Sequence, residues 1–246
     1  MTMAYAPENR PDGSAPHFDE GPFEPLEALS WGWSVLRAAP ERIGVPLVVA
    51  SFIVVISATL IPSILGGLAR FVVGSDPETF LGTVLIGVSR LFGFAISLFV
   101  SAYVSTGVYP FVLNVARGKP VEISDLLKHQ DKFSRCLGLT FAMGVAIGIG
   151  SAFCVVPGAA VLIFTSLAMP LLVDLDMSVV AALRASYELV RVHFAPVAVF
   201  CVLSFVVILV GTLLCFAGAV LVSIPVVLLA QAYVYLRLHG ETPVSA

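Results

Sequence analysis

Charge is what this sequence has least of. Asp, Glu, Lys and Arg together make up 12% of its 246 residues, about half of what a soluble domain carries to keep its surface wet. That shortfall excludes an ordinary water-soluble globule. The net charge of -3 carries no basic footprint, which excludes nucleic acid as a partner. Cysteine and histidine are sparse as well. Cys136, Cys154, Cys201 and Cys215 form no CxxC pair and have no histidine in ligand spacing, so in apolar surroundings they read as small hydrophobes. Cys154 and Cys215 are the two that approach the outer face, which leaves a disulfide between them open. His17, His129, His193 and His239 stand singly. No nucleophile elbow, Walker loop, zinc motif or paired-carboxylate cluster occurs, so no catalytic residue, cofactor or metal is expected.

What is abundant is apolar surface. Hydrophobic residues make up 59% of the chain, the mean hydropathy is +1.01, and lipid is the solvent this composition asks for. Residues 1–24 stand apart. They hold Pro7, Pro11, Pro16 and Pro22 among Glu8, Asp12, Asp19, Glu20 and Glu24, the composition of a disordered acidic tail. A basic start followed by an apolar core is missing, so this is not a secretory signal. Residues 25–240 form the membrane domain, and 241–246 a short C-terminal tail.

A span needs about 20 mostly apolar residues. Ile43–Leu68, Leu91–Ala116 and Phe133–Val156 qualify, the third ending at a Pro157-Gly158 turn. Gly158–Val173 is a short fourth. Ala195 to Leu238 is too long for one crossing and folds back between Gly211 and Gly218, which makes six spans. Phe80–Ser89 either extends the second helix or lies flat on the outer surface. With six spans, both termini share one side with eleven cations: Arg10, Arg37, Arg42, Arg117, Lys119, Lys128, Lys132, Arg135, Arg184, Arg191 and Arg237. Arg70 and Arg90 alone face the other way, so the positive-inside rule places both termini in the cytoplasm.

Three stretches on that side read as amphipathic surface helices. Glu24–Arg37 puts Leu26, Leu29, Trp33 and Leu36 on one face, and Pro25 suits a first helical position. Glu122–Ser134 sets Ile123, Leu126, Leu127 and Phe133 opposite Lys128, Asp131 and Lys132. The third carries Val179, Leu183, Tyr187, Val190 and Phe194, with Ser178 as its cap and Asp174 and Asp176 near its positive end. Each precedes a pair of spans and can bury its apolar side at the headgroup level. The first and third align without gaps, Ala28 on Ala182, Trp33 on Tyr187 and Arg37 on Arg191, as in a three-unit pseudo-repeat. The fold class expected is an all-α polytopic membrane protein.

Ionisable groups inside spans mark pathways, and no Asp, Glu, Lys or His falls in the middle of any span. Gly93, Ser97, Ser101 and Ser105 form a stripe at four-residue spacing. It can line a path, though small residues more often let helices approach closely. Gln231 fits an interhelical hydrogen bond. Pro62, Pro170 and Pro225 interrupt helices. Arg184, Glu188 and Arg191, with Asp174 and Asp176, are the candidates for contact with lipid headgroups or a partner protein.

The segment "VVPGAAVLIFTSLAMPLLVDLDMSVVAALRASYELVR" has a Pro-Gly turn, a short span ending in Pro, an acidic exit, and then Ala-Leu-x-x-Ser-x-x-Leu-Val-Arg. It resembles the hallmark segment of bacterial integral-membrane proteins related to the membrane domain of some glycerophosphodiester phosphodiesterases. "GVYPFVLNVARGKPVEISDLL" resembles their linker into the second surface helix. The resemblance covers about residues 24–240 and implies architecture and a bacterial inner-membrane setting. Phosphodiesterase activity does not follow, because the soluble catalytic domain is missing here. Val192-His193 departs from the small residue expected after Arg191, which leaves the end of that surface helix open. The function expected is a non-enzymatic inner-membrane scaffold or envelope-homeostasis factor. Alternatives are a transporter or lipid-translocating protein, and a regulatory membrane module for a separate enzyme.

Overall fold

The computed structural model describes residues 24–74, 79–127, 130–153, 155–214 and 216–244, which are mostly helical and contain no strand. Six helical stretches are long and apolar enough to cross a membrane. Helix α1 (Pro25–Ala38) leads through a five-residue π turn (Pro40–Gly44) into α2 (Val45–Val73). The first two spans form a hairpin of α2 with α3 (Phe80–Ala116), and α4 (Phe133–Phe153) is the third. The fourth is split into α5 (Val155–Thr165) and α6 (Ala168–Asp174). Surface helix α7 (Val179–Val192) precedes α8 (Phe194–Leu214). The chain then turns into α9 (Phe216–Gly218), a second π turn (Ala219–Ser223) and α10 (Ile224–Leu238). All six spans were thus legible as apolar runs, and the last run turns back inside Gly211–Gly218. The Cys154–Cys215 pairing lies outside the described residues.

Local chemistry accounts for the boundaries. The Thr79 hydroxyl accepts from the Gly82 N–H at 3.1 Å and caps α3. Phe80–Ser89 therefore extends α3, which reaches 37 residues, about 55 Å at 1.5 Å per residue. Pro157 and Gly158 do not turn the chain. They sit in the first turn of α5, where backbone N–H groups have no helical partner for a ring to remove. That places Val155 and Val156 in the fourth span and relieves its shortness. The break at Ser166-Leu167 follows from Pro170, which has no N–H to give the Ser166 carbonyl four residues earlier. In α2, by contrast, Pro62 lies within a continuous helix.

Among the described residues the second surface helix is not formed. The described residues of Glu122–Ser134 form two 3-10 turns, Ile123–Leu127 and Gln130–Lys132, and α4 begins at Phe133; Lys128 and His129 lie outside the described residues. The Asp125 N–H donates to the Glu122 carbonyl at 2.9 Å, the three-residue closure of a 3-10 turn, and the Glu122 N–H donates back to the Asp125 carboxylate at 2.8 Å. The pseudo-repeat is accordingly clear in two units of three. Helices α1 and α7 are each 14 residues long. They bury aligned positions: Ala28 with Ala182, Gly32 with Ser186, Leu36 with Val190.

Both surface helices lie on protein. Helix α1 buries Ala28, Trp31, Gly32, Val35 and Leu36 at i, i+3, i+4, i+7 and i+8. Leu26 and Trp33, expected on that face, are exposed. The stripe is rotated because Gly32 lets α1 reach the backbone of α10: a Cβ there would lie 2.7 Å from the Val226 carbonyl oxygen. Trp31 packs against Tyr233 with ring centroids 5.4 Å apart. In α7, Ser186 is buried because its hydroxyl donates to the Phe164 carbonyl at 2.7 Å, while Tyr187 stays partly exposed, as does Phe194 at the start of α8. The core gathers around α10, which contributes Leu229, Ala230, Val234, Tyr235 and Leu236 at full burial.

Candidate functional site

Charged residues at the ends of three spans meet on the face that carries α1 and the residues after α10. Arg117 follows α3, Asp174 ends α6, and Glu241 lies just past α10. The Arg117 guanidinium donates to both Asp174 oxygens, at 2.6 and 2.7 Å, the fork geometry that makes such pairs strong. Its Nε donates to Glu241 at 2.8 Å. The Tyr235 hydroxyl donates to Asp174 Oδ2 at 2.8 Å. These bonds with Asp174, and then Glu241, hold the Arg117 proton even more firmly than usual. His239 stacks on Tyr235 at 4.3 Å, and burial pushes its imidazole below the ordinary value.

A second cluster closes the end of α6. Lys132 Nζ donates to the Val173 carbonyl at 2.8 Å, satisfying a helix-end acceptor. Arg135 Nη1 donates to the Asp176 carboxylate at 2.8 Å and to its carbonyl at 3.0 Å. Asp176 sits in the left-handed region at φ 51°, which a short acidic side chain tolerates. Residues after α10 complete the face. The Val244 N–H donates to the Ala116 carbonyl at 3.0 Å, and Trp31 Nε1 donates to the Val244 carbonyl at 2.8 Å. One short tail thereby ties α1, α3 and α10 together.

Asp174 and Asp176 are therefore held by protein cations, while the α7 candidates are not. Arg184, Glu188 and Arg191 are exposed, and among the described residues none of them forms an ion pair. Beside them lie the exposed side chains of Val180, Tyr187 and Val192. Helix α7 ends at Val192 with His193 as its C-cap, so the Val-His departure falls at the helix terminus. This edge, cationic and apolar at once, is the site the structure leaves open.

The other candidates sit inside helix contacts. Gly93 packs on Pro62, where a Cβ would lie 2.7 Å from the proline Cα. The Ser97 hydroxyl donates to the Ser57 carbonyl at 2.7 Å and to Gly93 at 2.9 Å. Ser101 and Ser105 are half-buried. Gln231 donates through Nε2 to the Ser166 carbonyl that Pro170 leaves without a partner, and its Oε1 accepts from the Tyr109 hydroxyl at 3.5 Å. Among the described residues no group of His, Cys, Asp and Glu is placed to hold a metal. Arg117, Tyr235, His239 and Glu241 escaped the sequence reading. The available signal was opposite charges at span ends assigned to one side of the membrane.

The chain is similar to an uncharacterized protein of Mycobacterium bovis, 29% identical over 256 residues that cover 96% of this chain and 75% of that one. Uncharacterized proteins of two Mycobacterium tuberculosis strains match to the same extent. No family model matches, and no solved structure does. The fold and these relatives describe a multi-pass membrane protein with bacterial kin.

Proposed function

We propose that the chain is a non-enzymatic scaffold or envelope-homeostasis protein of a bacterial inner membrane, with both termini in the cytoplasm. Its α7 edge recognises acidic groups at the membrane surface, either lipid headgroups or a partner protein. The observation that carries this reading is a contrast in pairing: Arg117, Lys132 and Arg135 are spent on internal bonds, whereas Arg184 and Arg191 point outward unpaired. Exposed guanidinium groups beside Val180, Tyr187 and Val192 suit an interfacial helix, where apolar area and attraction to anionic lipid add. The bacterial relatives and the resemblance to the phosphodiesterase-associated membrane domain support the same setting.

What favours scaffold over transport is the state of two of the candidate pathway residues. Ser97 and Gln231 are engaged in helix-to-helix bonds, and the carbonyls freed at the α5–α6 break are taken by Gln231 and Ser186. Alanine at both Arg184 and Arg191 is expected to release anionic lipid or a copurifying partner from the purified protein; unchanged copurification rejects the assignment. An alkaline phosphatase fusion after Gly158 is expected to be active and one after Arg191 inactive, and the reverse pattern rejects the orientation.

A further inference from the structure

The surface helices repeat twice, and the span ends repeat three times. Helices α3, α6 and α10 are each followed, two residues on, by a residue in the left-handed region: Gly118 at φ 69°, Asp176 at 51° and Gly240 at 71°. The next N–H reaches five residues back each time, Lys119 to Asn114 at 2.9 Å, Met177 to Leu172 at 3.3 Å and Glu241 to Leu236 at 2.9 Å. Helices α1 and α7 also dock on spans by the same position. Gly32 lies on the Val226 carbonyl of α10, and its counterpart Ser186 donates to the Phe164 carbonyl of α5. Docking by one residue position turns one face outward in both.

That outward face reads alike in the two helices. On α1 it holds Leu26, Ser30, Trp33 and Arg37, all exposed, at i, i+4, i+7 and i+11. On α7 the same places hold Val180, Arg184, Tyr187 and Arg191, also exposed. Each stripe thus carries an aliphatic residue, an aromatic ring and, one turn further, an arginine. The Arg37 guanidinium lies over the Trp33 ring, 5.7 Å from its centroid. Tyr187 stacks on Phe164 of the fourth span with centroids 5.0 Å apart. A helix docked on protein and washed by water carries a polar outer face; these two set apolar and aromatic side chains on it. The headgroup layer solvates that mixture, the ring at its own level and the guanidinium on phosphate.

Lipid fits the pair better than a protein partner does. A protein that grips one stripe gains nothing from a duplicate on another unit, whereas a bilayer surrounds the bundle and meets both. Acidic neighbours keep the local charge modest: Glu188 flanks the α7 stripe and Glu41 follows α1, both exposed, and Glu27 faces Arg237 at 3.9 Å. Such a balance suits the phosphate that every phospholipid carries, without calling for an anionic headgroup.

We infer that α1 and α7 are a matched pair of membrane anchors, each seating its ring at the headgroup level and its last arginine, Arg37 or Arg191, on a phospholipid phosphate. This assignment rests on the proposed membrane setting of the α7 edge and adds α1 and the lipid phosphate to it. The test uses the full chain in phosphatidylcholine vesicles and reads tryptophan fluorescence. Trp31 and Trp33 are the only tryptophans, and Trp31 is buried, so Trp33 is read against Trp33→Phe. Tyr187→Trp in the Trp33→Phe chain reads α7. Nitroxide lipids labelled near the glycerol or near the chain end, together with aqueous iodide, report the depth.

Both probes are expected to be quenched more by the shallow label than by the deep one, to matching extents, and to be shielded from iodide relative to free tryptophan. Arg37→Glu, which sets a carboxylate against the phosphates, is expected to raise iodide quenching of Trp33 severalfold and leave position 187 unchanged; Arg191→Glu is expected to do the converse. Val180→Trp, two turns away on the same stripe, repeats the α7 measurement should Tyr187→Trp alter packing. Iodide access at either helix equal to that of free tryptophan overturns the proposal, as does a mismatch in depth between the two. Position 187 open to water, while alanine at Arg184 and Arg191 still releases a copurifying protein, overturns the anchors and keeps the α7 edge as a protein site. Shallow quenching at both positions with copurification unchanged upholds the anchors and rejects recognition of acidic groups by α7.

Discussion

The two ends of α3 are equally apolar and live in different solvents. At the end far from the termini, Phe80, Leu81, Leu91 and Phe92 are each more than 60% exposed. Near the termini, Phe111, Leu113 and Ala116 are at most 2% exposed. Composition alone does not separate the two stretches; what each one meets does. Between helices in lipid there is no hydrophobic force, because acyl tails are as apolar as leucine. The outer part of the α2–α3 hairpin is therefore held by close approach at Gly93 and by the Ser97 bond. At the terminal face, water is the alternative, and burial, ion pairs and the docked tail all contribute.

That contrast assigns stability to the terminal face, and the Arg117–Asp174 pair is the place to break it. About four-fifths of each side chain is buried. Asp174→Ala takes the two-pronged partner from Arg117, leaving it Glu241 alone, and removes the acceptor of Tyr235, a loss of about 3 kcal/mol. For a chain of this length the expected fall in Tm is about 6–12 °C, read by thermal unfolding in mild detergent. Replacing both partners, as Arg117→Met with Asp174→Leu, is expected to recover most of the loss, since the one charge then left alone, Glu241, reaches solvent. A double variant as unstable as Asp174→Ala would mean the cluster acts through more than charge.

Within the bundle the bonds are fewer and weaker. Gln231→Leu removes the donor to the Ser166 carbonyl at the α5–α6 break. Hydrogen bonds between membrane helices are worth about 0.6–1.7 kcal/mol, so a fall in Tm of about 2–5 °C is expected. If Gln231→Leu costs as much as Asp174→Ala, the division between the two regions is wrong.

What the sequence disclosed follows the same division. Spans and their order were legible because an apolar run is a local property, and α1 and α7 because their caps and periodicity are local too. The α1 face was misjudged because hydrophobic periodicity weights Leu26 and Trp33, whereas contact with α10 is decided by Gly32 having no side chain. Glu122–Ser134 was misread as a helix because its apolar spacing suits one, and the three-residue closure from Asp125 back to Glu122 is not written in that spacing. The pairing of Arg117 with Asp174 and Glu241 joins residues 57 and 124 positions apart, and no local pattern records that. The bonds that Val244 makes to Ala116 and Trp31 went unread for the same reason.

Acidity probes the terminal face more gently. Burial holds the His239 imidazole below its ordinary value, which is about 6.5. Between the lowered value and about 6.5 the unfolded chain binds a proton that the folded chain refuses, so stability rises with pH there. Cooling of Tm is accordingly expected as pH falls below about 6.5, by a few degrees at most, and His239→Phe is expected to flatten that slope. A slope that persists unchanged in His239→Phe assigns the proton to another group.

The smallest effects belong to the far end, and their smallness is the sharpest form of the comparison. Phe71 is 85% exposed and Phe80 86% exposed, so alanine at either removes no protein contact of consequence. Lipid or detergent fills the vacated space as readily as it solvated the ring, and the change is expected to stay within about 0.5 kcal/mol. Thermal unfolding of both variants should then overlay the parent curve, in detergent and in reconstituted vesicles alike. A loss confined to vesicles would show that something ordered covers Phe71 and Phe80 in the bilayer. Such a cover would make the outer end an interface, and its apolar surface would then measure a partner instead of a solvent.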